Sequence, residues 1–156
     1  MSDTHDEKDR TKQAIRLLAD AGADALVHCG DLNSPPIVEA LAKLPAWFVF
    51  GNHDADAVPS LMKAASDSGA TCLGWGGVFE FAGIRFGVAH GHITSDVRRV
   101  IAKQPAILFS GHAHFSSDRN VDGIRRINPG ALHRAEVFTV ALLDVLNGSL
   151  AILPVE

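Results

Sequence analysis

Basic charge, long apolar runs and cysteine are all scarce in this sequence, and tyrosine is absent. Against 14 lysines and arginines stand 18 aspartates and glutamates, and the resulting formal charge of -4 leaves no basic stripe. That speaks against a DNA- or RNA-scaffolding role. No apolar run approaches the ~20 residues needed to span a bilayer. The polar start also lacks the basic-then-apolar layout of a secretory signal. These absences place the protein in the cytoplasm, with no membrane partner. Only Cys29 and Cys72 are present, each inside an apolar run and neither at the spacing of a CxxC metal knuckle, so both read as buried, reduced thiols. There is no internal repeat, low-complexity tract or linker. A chain of 156 residues with 47% hydrophobic content suits a single domain over 1–156 around one core.

Histidine is what the sequence has in quantity: eight residues, six of which (His5, His53, His90, His92, His112 and His114) fall in Gly- or Asp-flanked segments after apolar runs. Ala14, Ile15, Leu17, Leu18 and Ala21 recur at helical spacing over 6–22, with Gly22 placed as a stop. Residues 25–29 then form a short apolar run closed by Gly30-Asp31. Ser34-Pro35 supplies an N-cap and a first-turn proline for a helix to about Leu44. The order repeats at 46–50, closed by Gly51-Asn52-His53-Asp54 and followed by a weaker helix over 59–68. Two antiparallel strands around Ala82-Gly83 lead to His90-Gly91-His92 and a helix over 95–104. A further strand over 106–110 is closed by Gly111-His112-Ala113-His114, and the last third is strand-rich, with hairpin turns at Asp122-Gly123 and Asn147-Gly148. This alternation implies an α/β fold, an α-β-β-α sandwich of two mixed β-sheets flanked by helices.

In such sheets ligands bind beyond the carboxyl ends of the strands, which is where these polar segments fall. Singly, each is weak: a Gly-Asp is usually a turn, and one histidine after a strand is usually hydrogen-bonded. Together, Asp3-Thr4-His5, Gly30-Asp31, Gly51-Asn52-His53-Asp54, His90-Gly91-His92 and Gly111-His112-Ala113-His114 would gather along one sheet edge. Carboxylate oxygen and imidazole nitrogen without thiolate suit Mn, Fe, Zn or Ni better than a Cys-rich structural zinc site or an all-oxygen calcium cage.

The motifs D-x-H, GD, GNHD, HGH and GHxH, in this order, resemble those of the calcineurin-like metallophosphoesterases. Within that superfamily the chain is similar to the small, capless phosphodiesterase-like branch, which also includes the retromer subunit of the same fold. The resemblance implies two divalent transition-metal ions, manganese foremost, with Fe, Zn or Ni as alternatives. Asp3, His5 and His114 would hold one; Asn52, His90 and His112 the other; Asp31 would bridge both. It further implies hydrolysis of phosphate esters, chiefly small phosphodiesters, by a metal-bridging hydroxide. His53 would be general acid, adjacent Asp54 would orient it or raise its pKa, and Asn52, His53 and His92 would face substrate. Ala131 stands where the family's Asn-Pro-Gly loop carries a serine, so that hydroxyl contact is missing from Asn128-Pro129-Gly130. His28 reads as a core histidine and His133-Arg134 as a surface pair, although the latter could meet substrate phosphate.

The competing reading is a catalytically weak or inactive metal-binding scaffold for other proteins, as in the retromer-type relative, which has lost the motif histidine. Retention of His53 favours the enzyme. Apolar residues on exposed hairpins leave a homo-oligomer open. In the resembling family D-x-H follows a central apolar strand, whereas only Met1-Ser2 precede Asp3 here. The expectation is that this first strand is missing, through a start site chosen too late. Its loss would expose the edges of two neighbouring strands and leave Asp3 and His5 on a fraying end.

Overall fold

The computed structural model describes residues 1–156. The first expected helix forms as α1 (Lys8–Asp20), turning Ala14, Ile15 and Leu18 inward and stopping before Gly22, whose φ of +90° no continuing helix can adopt. β1 (Leu26–His28), α2 (Pro35–Leu41), β2 (Ala46–Phe48), α3 (Val58–Ser68) and β3 (Thr71–Cys72) follow. Ser34 occupies the N-cap position of α2, but its hydroxyl donates to the Asp6 carboxylate instead of capping the helix. β4 (Gly77–Phe81) and β5 (Ile84–Val88) make the hairpin expected around Ala82-Gly83. After α4 (Thr94–Ile101) and β6 (Ile107–Phe109) come the hairpins β7 (Ser116–Val121) with β8 (Ile124–Pro129) and β9 (Thr139–Leu143) with β10 (Leu150–Pro154). They turn where the Asp122-Gly123 and Asn147-Gly148 pairs predict.

One sheet is mixed, in the order β4-β5-β6-β8-β7, parallel at its centre and antiparallel at both edges. The second layer is divided into the parallel trio β1-β2-β3 and the hairpin β9-β10. A stack of rings running Trp47, Phe79, Phe86, Phe109, with centroids 4.3, 5.3 and 5.5 Å apart, locks β2 to the mixed sheet. The main core joins α1, α2 and α3 to the second layer through 19 buried apolar residues, Phe48, Leu61 and Val140 among them. Each large one contributes about 1.5–3 kcal/mol.

The second layer is divided because no strand joins the facing edges of β1 and β9; only the first three residues bond along the β1 side. Between them lies an apolar cavity of about 560 Å³, lined by Leu26 and Val27, by Ala141 and Leu142, and by Phe79 and Phe109 of the facing sheet. Met1 lines it too. The fraying expected of Asp3 and His5 does not occur. The Met1 amino group donates to the Val27 carbonyl (2.9 Å) and Cys29 N–H to the Met1 carbonyl (3.0 Å), which is one rung of a parallel ladder beside β1. Asp3 N–H then donates to Gly30, His5 N–H to Asp31, and on the other side Leu132 N–H donates to Ser2. Residues 1–4 are buried as a result. Backbone bonds on two flanks, not apolar packing alone, fix the end of the chain.

Candidate metal centre

The parallel pairings β1-β2 and β5-β6 bring four strand ends to one rim, and the ladder rung at Met1 delivers Asp3 and His5 to the same place. Asp3, His5, Asp31, His112 and His114 all have φ between +44° and +66°, a left-handed conformation that costs a side-chain-bearing residue energy and persists where the surroundings impose it. Two close approaches depend on glycine. A Cβ on Gly51 would collide with the Asp31 carboxylate, and one on Gly111 with Ser2 and Asp3.

Two groups of donor atoms converge, Asp3 with His5 and His114, and Asp3 with Asp31 and His90, each with all its atoms within 4.8 Å of one another. Asp3 Oδ1 lies 3.2 Å from His114 Nε2 and 3.9 Å from His90 Nε2. Asp31 Oδ2 lies 3.3 Å from His5 Nε2 and 3.4 Å from His90 Nε2. Ring orientation is set from behind. His90 Nδ1–H donates to the Cys29 carbonyl (2.7 Å) and His114 Nδ1–H to the Arg134 carbonyl (3.2 Å), which turns each Nε2 inward. His90 Nε2 then meets both the Asp31 carboxylate and Asn52 Oδ1 (3.1 Å), a convergence of electron-rich atoms that a cation reconciles.

Asp3 Oδ1 and His5 Nε2 are buried with no hydrogen-bond partner, as ligands awaiting an ion would be. The mixed nitrogen and oxygen donor set fits divalent transition metals. Burial would raise the Asp31 carboxyl, but the His5 and His90 imidazoles and the His53 N–H hold it well below the usual carboxylate range. Burial likewise opposes charge on His90, and Asp31 overcomes it, raising the His90 pKa.

Asp54 takes a part different from the one expected. Its two oxygens accept the backbone N–H groups of Gly51 (2.8 Å), Asp31 (2.9 Å) and Asn33 (2.7 Å), so the side chain is spent on clamping the loops after β1 and β2 together and makes no bond to the His53 ring. Burial raises its pKa, against the pull of those N–H groups. His53 is exposed, its ring edge-on to His5 at 4.9 Å, while its backbone N–H donates to Asp31 Oδ1 (2.9 Å). Asn52 is exposed beside His90. His112 lies with its ring 5.2 Å from His90, exposed, outside the two converging groups; its N–H holds Asp3 Oδ2 at 3.1 Å. The His92 ring is 5.2 Å from His90, and its Nδ1 is buried without a partner.

Sequence reasoning singled out His28, Asn128 and His133 but not the contacts they make. His28 is wholly buried, as expected of a core histidine, but it also works for the rim. Gly30 N–H donates to His28 Nδ1 (3.2 Å), so Nε2 carries the proton toward Thr4 Oγ1 (3.1 Å), whose hydroxyl donates to the Asp31 carbonyl (3.3 Å). Asn128 donates to the Gly111 carbonyl (2.8 Å), tying the Asn-Pro-Gly loop to the Gly-His-Ala-His segment. His133, 126 residues from Glu7, is bonded to it and lies against His5; helical placement of Glu7 near the motif was the one available signal.

With this arrangement in view, the chain belongs to the calcineurin-like phosphoesterase superfamily, whose domain it matches over residues 1–148. A phosphodiesterase of Methanocaldococcus jannaschii is 26% identical over 149 residues, covering 92% of this chain and 90% of that protein. A solved archaeal phosphodiesterase superposes with a TM-score of 0.86 at 24% identity, covering 99% of this chain and 97% of that one. Vacuolar protein sorting 29 of Cryptosporidium parvum shares the fold at a TM-score of 0.59 and 18% identity, over 91% of this chain and 86% of its own. The expected fold and superfamily are therefore found, and the enzyme class, a phosphoesterase, is the family's. No helix is long and apolar enough to cross a membrane.

Proposed function

We propose that this chain hydrolyses small phosphodiesters with two divalent cations, manganese foremost, held on the rim, and that it does so in the cytoplasm. The observation that carries this reading is the convergence of Asp3, Asp31 and three inward-turned imidazole nitrogens in two adjoining groups on the rim, with Asp3 Oδ1 and His5 Nε2 buried and unpartnered. Asp3, His5 and His114 would hold one ion, His90 with Asn52 and His112 would hold the other, and Asp31 would serve both. Such a pair of ions supplies positive charge to the phosphate and lowers the pKa of a water at neutral pH.

The remaining steps belong to side chains. Asn52 and His92 face the ester. His53, exposed next to His5, gives its proton to the leaving oxygen. Asp54 serves by keeping the two loops that carry Asn52 and Asp31 in register, an indirect part.

The test is hydrolysis of a chromogenic diester and monoester by metal-stripped protein reconstituted in turn with Mn, Ni, Zn and Fe. Activity that returns with metal and is lost in Asp31→Asn supports the reading. Binding of metal without turnover would favour a scaffold. His53→Ala should lose most turnover on esters with poor leaving groups; an equal loss on all esters removes the acid role.

A further inference from the structure

The rim carries a histidine that neither donor group uses and that has no part in the reading above, His133. The His133 ring lies 4.7 Å from that of His5, on which His53 packs at 4.9 Å, so two imidazoles flank the same candidate ligand. His133 is not loosely placed. Its Nδ1 is 3.1 Å from Glu7 Oε1, and Arg10 braces the pair: the guanidinium sits 3.8 Å over the Phe138 ring, 3.6 Å from Glu7 Oε2, and donates to the Leu132 carbonyl (2.7 Å) just before His133. Both the side chain and the backbone of His133 are thereby fixed from α1, the helix that follows Asp3-Thr4-His5.

The rings of His5, His90 and His114 each turn Nε2 onto a carboxylate of the donor groups. His133 does not. Its Nδ1 proton is committed to Glu7, its Nε2 has no partner in the protein, and its side chain remains a quarter exposed, enough to be reached from solvent. A bonded, oriented imidazole at the mouth of the rim with one free nitrogen is suited to a ligand with oxygens on it.

We propose that His133, set by Glu7 and Arg10, contacts the phosphate group of the substrate through Nε2, opposite His53. This rests on the hydrolase reading given above. Inorganic phosphate keeps a P–OH and is met by Nε2 as acceptor or as donor, whereas a diester has no P–OH and is met through a phosphoryl oxygen when Nε2 donates. Glu7 is then a positioning residue, and His133 a determinant of how tightly phosphate and its esters bind.

The probe is inorganic phosphate, titrated against full-length protein loaded with zinc, with three readings: the inhibition constant against a chromogenic diester, metal content by elemental analysis, and the nitrogen resonances of His133. In the wild-type protein phosphate should shift the His133 resonances. His133→Ala should weaken phosphate about tenfold, as loss of a hydrogen bond to a charged ligand does, and raise KM more than it lowers kcat. Glu7→Gln should have a smaller effect in the same direction, and metal content should stay at the wild-type level in both variants.

Unchanged inhibition constants, or a His133 resonance that phosphate does not move, would overturn the assignment while leaving the hydrolase intact. A fall in metal content with phosphate binding unaltered in fully loaded protein would also overturn it, by making His133 a packing support for His5. Loaded wild-type protein that neither binds phosphate nor cleaves the diester would remove the hydrolase reading and this one together.

Discussion

The rim and the hollow beside it start from the same few residues and are built on opposite rules. On the rim, polar atoms are buried, the backbone is left-handed at five donor positions, and hydrogen bonds such as those of Asp54 fix the loops. Two residues before Asp3, Met1 opens onto an apolar cavity of about 560 Å³ between the facing edges of β1 and β9, which no strand joins. The rim is over-determined and the hollow under-filled. The site is therefore held in place by a network of bonds that does not depend on close packing next to it, and the two regions should respond to mutation in opposite ways.

The largest effect should come from Asp31→Asn, because Asp31 faces His5 and His90 at once. Turnover and metal content should both fall by more than the roughly 10–100-fold that changes outside the ligand set cost. Asp54→Ala should come next: it strands three backbone N–H groups, each worth about 1–3 kcal/mol if left buried and unpaired. A lower melting temperature together with weaker metal binding is expected; weaker catalysis with both unchanged would mean that Asp54 acts on His53 after all.

A matched pair sharpens the contrast. Gly51→Ala adds one methyl where it collides with Asp31 and should cost about 1–3 kcal/mol. Ala141→Leu adds bulk to the cavity and should stabilise by about 1 kcal/mol, read as a higher melting temperature. If both destabilise, the hollow is not the slack region described.

The smallest effect concerns the thiols. Burial pushes Cys29 up to about 12; it also raises half-buried Cys72, which is open to solvent on one side. At pH 8 iodoacetamide should modify Cys72 first and Cys29 only on unfolding. Since the folded Cys29 keeps its proton where an unfolded thiol, near 9.0, loses it, this residue withdraws stability as pH rises from about 9 to about 12.

Much of this was legible in the sequence because strand ends announce themselves: an apolar run that stops at Gly-Asp or Gly-His places those side chains on one rim whatever the detailed register. What escaped were relations that run through the backbone or across long separations. His53 and Asp54 are neighbours in sequence, which suggests a pair, yet the turn exposes one and buries the other. Thr4 meets His28, and Glu7 meets His133, only after folding. The divided second layer was implied by the uncovered edges, but its outcome, a hollow lined at one side by an ordered Met1, depended on bonds to Val27 and Cys29 that no periodicity records.

The seated amino group has a practical corollary. Buried, with its nitrogen donating to the Val27 carbonyl, the α-amine should be out of reach of acylating dyes that label solvent-facing amines. An affinity tag placed after the exposed Glu156 leaves the rung that delivers Asp3 untouched.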